Sequence, residues 1–255
     1  MPNWVKNKIV IGNNKYGKEL IEKYVILNEE TGEKEFDFNK VIKMPEELQI
    51  EYSSRSDNAL RLYVTRINPS ISYYGEEKDK ISEKDYADLV YLLKKRAITV
   101  SSFDLSLEKI NELIKDNSEV DLLKLGKQQV ENVQKYGCLN WYDWAINNWG
   151  TKWNASNFIS LDDDKALTFE TAWDPAIPVF LEITKQNPTK KFAFLYADEA
   201  IGSHVGYVLA CNGKIDYKGT FEDYSDDAYK LSFDLWNCAD CYEYSEEEGT
   251  YVCKE

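Results

Sequence analysis

The chain has 255 residues, 43% of them hydrophobic and 14% aromatic, enough to bury a large core or two small ones and too apolar for a disordered chain. Its 31 basic and 45 acidic residues leave a net charge of −14, which argues against binding nucleic acid through the phosphate backbone. No run approaches the 18 apolar residues of a membrane span, and no signal peptide opens the sequence, so a cytoplasmic protein is expected.

Trp4 to Ile11 alternates as a strand and ends at the turn Gly12-Asn13-Asn14. Lys15 to Ile26 has helical spacing. Phe36 to Met44 reads as an extended segment with a turn, and Gln49 to Pro69 fits helix or strand. Ser82 begins a helix that runs to Arg96. A second helix follows Ser106, and a third spans Glu119 to Tyr136 and stops at Gly137.

The C-terminal half changes character. Phe158–Leu161 and Ala166–Trp173 read as strands around Asp162-Asp163-Asp164, and a helix begins near Pro175. Lys191–Ala197, Val205–Cys211 and Lys214–Phe221 are expected as strands, the last two joined by Asn212-Gly213, a hairpin signal. A helix from Ser225 to Trp236 and a final hairpin over Tyr242–Val252 complete the order. Strand, helix, strand, strand, helix, strand is the split βαβ order of a ferredoxin-like sandwich. The expected fold is α+β: a C-terminal ferredoxin-like domain over 138–255 with an acidic tail, and a more helical N-terminal α+β region over 1–137. That region carries a helical insertion at about 80–136.

"MPNWVKNKIVI", "DFNKVIKMPEEL", "YGCLNWYDWAINNWGTKWNA", "FETAWDPAIPVF" and "FAFLYADEAIG" occur in that order. Together they resemble the YubB-like, Api-type family of phage, prophage and plasmid proteins. The resemblance implies a ferredoxin-like C-terminal part and a mobile-element setting, and it supplies no catalytic residues.

Four tryptophans fall within residues 141–153. A helix from Asn140 to Asn148, stopped by Gly150, puts Trp141, Trp144 and Asn148 on one face with Trp149 at its edge. These residues with Lys152, Trp153 and Asn154 could stack a base. The competing reading, favoured by helical spacing, is a core clamp with Trp173 as packing partner.

Asp198 and Glu199 end a strand and are the catalytic candidates of an alternative reading, a metal-dependent enzyme. Asp162-Asp163-Asp164 is expected to decorate a turn. Cys238, Cys241 and Cys253 make half a zinc signature, so zinc is a minor expectation and no cofactor the leading one. The single histidine, His204, precludes a two-histidine metal site and disfavours an enzyme.

From Phe221 to Glu255, 11 acidic residues face two lysines. Glu222, Asp223, Asp226, Asp227, Glu243, Glu246, Glu247 and Glu248 are the candidate acidic surface. It suits a host protein or nucleoprotein complex whose basic groove it would occupy as a phosphate mimic. An inhibitor of a host defence complex, anti-CRISPR or similar, is the leading expectation, with no membrane partner.

Overall fold

The structure is a computed structural model that describes residues 2–29, 31–71, 80–95 and 105–254. Its contacts divide the chain into two units, Met1–Lys43 with Ala145–Glu255, and Met44–Trp144. The expected division at 137/138 does not coincide with this one. The reason lies in the first strand.

β1 (Trp4–Val10) alternates strictly, with Val5, Asn7 and Ile9 fully buried. Asn13 then caps α1 (Asn14–Tyr24), its side chain accepting from the Lys15 and Tyr16 amides. A short pair, β2 (Val25–Leu27) and β3 (Lys34–Phe36), follows. Beyond the inserted unit come β4 (Ser156–Leu161), β5 (Ala166–Ala172), α7 (Ile177–Gln186), β6 (Lys191–Asp198), β7 (Gly206–Cys211), β8 (Lys214–Thr220) and α8 (Asp226–Trp236).

The main sheet is antiparallel with strand order β4-β5-β1-β6-β7-β8. β1 and β4 flank β5, with α1 in the connection between them. β5 and β6 flank β1, with α7 in theirs. These two split βαβ units are the ferredoxin-like order, and β7 and β8 extend it. The N-terminal strand therefore sits in the middle of the sheet, between strands of the C-terminal half. Among the described residues the closing hairpin, β9 (Tyr242–Ser245) and β10 (Thr250–Cys253), forms a separate two-stranded sheet, so it does not supply the last strand of the sandwich as the sequence order suggested.

Register fixes the two faces of the sheet. Ile9 opposes Leu167 and Phe194, and Asn7 opposes Phe169 and Tyr196, so these side chains share one face. Phe194 stacks on Phe180 of α7 there, at 5.0 Å. Asn7 binds polar groups of two strands and of the start of α7. Its Nδ2 donates to Val5 O and Thr171 Oγ1, both at 2.8 Å, and its Oδ1 accepts the Ala176 N–H at 3.2 Å. The opposite face carries Lys6 and Lys8 and meets α8, where Lys6 Nζ lies 4.7 Å from the Trp236 ring.

The second unit is helical. Ser53 and Ser56 form a capping box that starts α2 (Ser54–Ile67), which settles the ambiguous segment as helix. α3 (Glu83–Lys95), α4 (Leu107–Lys115) and α5 (Glu119–Tyr136) follow; the expected end of α3 at Arg96 lies outside the described residues. Gly137, at φ 72°, stops α5. α2 packs along α5 because Gly126 has no side chain: a Cβ there would stand 2.2 Å from Ala59 O. Leu60, Val64, Leu89, Leu93, Val130 and Val133 form the core. Asn132 fastens the chain on either side of the bundle, donating to Glu47 O at 2.8 Å and Leu139 O at 3.1 Å.

Candidate functional site

The eight acidic candidates lie on α8, the loop before it and the β9–β10 hairpin. Ser225 caps α8 by accepting the Ala228 amide, and Asp226 and Asp227 occupy the first turn, where the helix dipole favours negative charge. Asp223 holds the preceding loop: its Oδ1 accepts the His204 N–H at 2.9 Å. An aromatic cluster seats the hairpin on α8, with Tyr229 and Tyr251 rings 4.9 Å apart and Phe233 5.3 Å from both Tyr242 and Tyr251. Thr250 Oγ1 donates to Tyr229 OH at 3.2 Å, and Tyr229 OH donates to Tyr251 O at 3.4 Å. Strand alternation then turns Glu243 away from the side that Tyr242 and Tyr251 share. The hairpin turn Glu246–Gly249 closes on itself, Gly249 N–H to Ser245 O at 2.8 Å. All eight carboxylates are exposed. Among the described residues only Asp227 is in an ion pair, with Lys230 at 3.4 Å.

The tryptophan stretch forms α6 (Trp141–Trp149), ended by Gly150 at φ 80°. The division between the two units falls inside this helix. Trp144 and Trp149 are buried and Trp141 is half-buried. Trp149 Nε1 donates to Ile42 O at 3.0 Å, and its ring meets Phe38 edge-on at 5.7 Å. Asn154 is structural as well: Oδ1 accepts the Phe38 N–H at 2.7 Å and Nδ2 donates to Asp37 Oδ1 at 2.9 Å. Asn148 is half-buried. Trp153 is 38% exposed, with Lys152 Nζ 4.5 Å from its ring and Trp4 at 6.3 Å. Trp173 is 49% exposed at φ 74°, a left-handed turn residue rather than the expected packing partner.

Asp198 is buried at the end of β6, and its Oδ1 accepts the Ala200 N–H at 2.8 Å, which shapes the turn; Glu199 points to solvent. Asp162, Asp163 and Asp164 are successive left-handed residues with separate partners: Lys165, Asn14 and Ser160. The Asn14 amide, with Lys18 and Lys165 nearby, holds the Asp163 carboxyl below its usual range. Cys238 is half-buried, Cys241 and Cys253 are exposed, and burial pushes the Cys238 thiol up, with Cys241 adding to the effect. Among the described residues no group of three or more His, Cys, Asp or Glu is placed to hold a metal ion.

One arrangement escaped the sequence reading. Lys6 of β1 and Glu170 of β5, cross-strand partners, form an ion pair at 2.5 Å with both side chains nearly buried. Asn157 Nδ2 donates to the other Glu170 oxygen at 2.6 Å. Asn157 reaches it from a bulge in edge strand β4, at φ 49°. These three side chains help line a polar groove of about 640 Å³ between β3 and β4, with Lys34 and Ser156 on its walls.

Residues 148–254 match a family model described as the ferredoxin-like domain in Api92-like protein. A crystal structure of a protein api92 from Yersinia pseudotuberculosis aligns over 87% of this chain and 99% of its own, at 14% identity and TM-score 0.39. Comparison with curated proteins gave no match. No described helix is long and apolar enough to cross a membrane. The C-terminal part of the chain is a ferredoxin-like domain similar to that of Api92-like proteins, and β1 and α1 add the strand and helix that complete its sandwich order.

Proposed function

We propose that the chain acts by binding a protein partner, with the acidic face of α8 and the β9–β10 hairpin as its docking surface. The partner is a protein or nucleoprotein complex with a basic, nucleic-acid-binding groove; a host defence complex blocked by a mobile-element accessory protein is the specific case. The supporting observation is that eight exposed carboxylates, seven of them outside any ion pair among the described residues, are carried on a capped helix and an aromatic-anchored hairpin. A prearranged field of one sign steers a basic partner and loses little entropy on docking.

The test uses a neutralised variant, Glu222→Gln with Glu243, Glu246, Glu247 and Glu248→Gln. Asp223, Asp226 and Asp227 stay, because they cap a loop and start a helix. The wild-type chain should capture basic nucleic-acid-binding proteins from host lysate, and heparin should release them. The variant should capture them at least tenfold less. Equal capture by both chains, or capture that heparin leaves untouched, refutes the reading.

A further inference from the structure

The helical unit contains a cavity that the acidic-face reading does not use. Val120, Leu123, Lys124 and Lys127 recur at helical spacing along one stripe of α5, and Tyr63 and Arg66 lie one turn apart on α2. Together they line a cavity of about 250 Å³. Three of the six are apolar or aromatic and three are cations, within a chain of net charge −14. Arg66 is positioned by Glu119, Nη1 to Oε1 at 3.2 Å, and Lys127 lies 3.8 Å from Glu131. Lys124 is exposed and in no ion pair among the described residues.

An apolar surface beside an excess of positive charge is complementary to a body that is apolar at one end and anionic at the other. The volume falls just short of the roughly 300–1,000 Å³ of drug-sized sites, so the occupant is about the size of one substituted ring. We propose that this cavity binds a carboxylate or phosphate monoester carried on an aromatic or aliphatic group. The ring would lie against Tyr63, Val120 and Leu123, and the anion would face Lys124 and Lys127. Two sources offer that chemistry: a free small molecule, and an acidic residue beside an aromatic one on a peptide.

Methyl NMR of Val120 and Leu123 in the full chain reads occupancy directly. Phenyl phosphate is the first probe, with inorganic phosphate and benzyl alcohol as controls for either half alone. The expected result is saturable methyl shifts with phenyl phosphate, at least tenfold tighter than with either control. Lys124→Gln with Lys127→Gln should weaken binding about tenfold; both lysines are exposed, so the fold is retained. A free Glu-Tyr-Ser-Glu peptide, the sequence at Glu243–Glu246, separates the sources. Tighter binding than phenyl phosphate assigns the site to peptides, and weaker binding assigns it to small molecules. The proposal is overturned if phenyl phosphate gives no saturable shift, if the double variant binds it equally, or if inorganic phosphate alone binds as well. None of these outcomes bears on the acidic face.

Discussion

Replacing Asn7 tests whether the N-terminal strand is the centre of the ferredoxin-like sheet. Its side chain is fully buried and joins β1 to Thr171 of β5 and to Ala176 at the start of α7. Asn7→Ala leaves the buried Ala176 N–H without an acceptor, a cost of about 1–3 kcal/mol. The small void adds about 1 kcal/mol. A loss of about 3 kcal/mol corresponds to roughly a hundredfold drop in protection against hydrogen exchange. Asn7→Asp should be worse at neutral pH. A carboxylate keeps the acceptor for Ala176 but cannot donate to Val5 O. Hydrogen exchange with mass spectrometry should show the drop in β1, β5 and β6 together, and none in the helical unit's α2 and α5. A loss below about 1 kcal/mol, or one confined to β1, would show that the strand is an appendage and refute this topology.

Gln129 is fully buried on α5, and among the described residues neither side-chain amide atom has a hydrogen-bond partner, so Gln129→Met should stabilise the helical unit by about 1–2 kcal/mol in urea denaturation. Asp143 is half-buried; burial, and then the nearby Asp57, raise its carboxyl pKa while the Leu139 backbone opposes them. The folded state therefore holds that proton more tightly, and this stabilising contribution is present below the unfolded value of 3.8 and lost as pH rises through the raised folded value. Asp143→Asn should accordingly melt higher than wild type at pH 7, with the difference closing below that window; a constant difference would count against burial as the cause. In thiol alkylation near pH 8, Cys241 and Cys253 should react first, with Cys238, whose thiol is pushed up by burial, and buried Cys138 behind them.

Features with local causes were legible in the sequence. Gly137 ends α5, Ser225 caps α8, and Asn212-Gly213 turns the β7–β8 hairpin with both residues at positive φ. The alternation of Trp4 to Val10 announced a strand but not its neighbours, which are more than 150 residues away in sequence. For that reason the alternation alone does not place β1 beside strands of the C-terminal half. The candidate surface shows the same divide. Acidic residues concentrated in one stretch are visible in composition, whereas the Lys6–Glu170–Asn157 arrangement exists only once β1 and β5 are in register. Lys6 and Lys8 on one face of a central strand were the available signal, since a charge on a strand with buried neighbours calls for a partner.

Binding through the acidic face is tested most directly by the dependence of the association rate on salt. For a basic partner captured by the wild-type chain, the rate constant should fall at least tenfold between 50 mM and 300 mM NaCl, as screening shortens the reach of the field. The Gln-substituted variant should associate more slowly at low salt and show a much flatter dependence. A rate that is insensitive to salt in the wild-type chain, or equally sensitive in both chains, would contradict it.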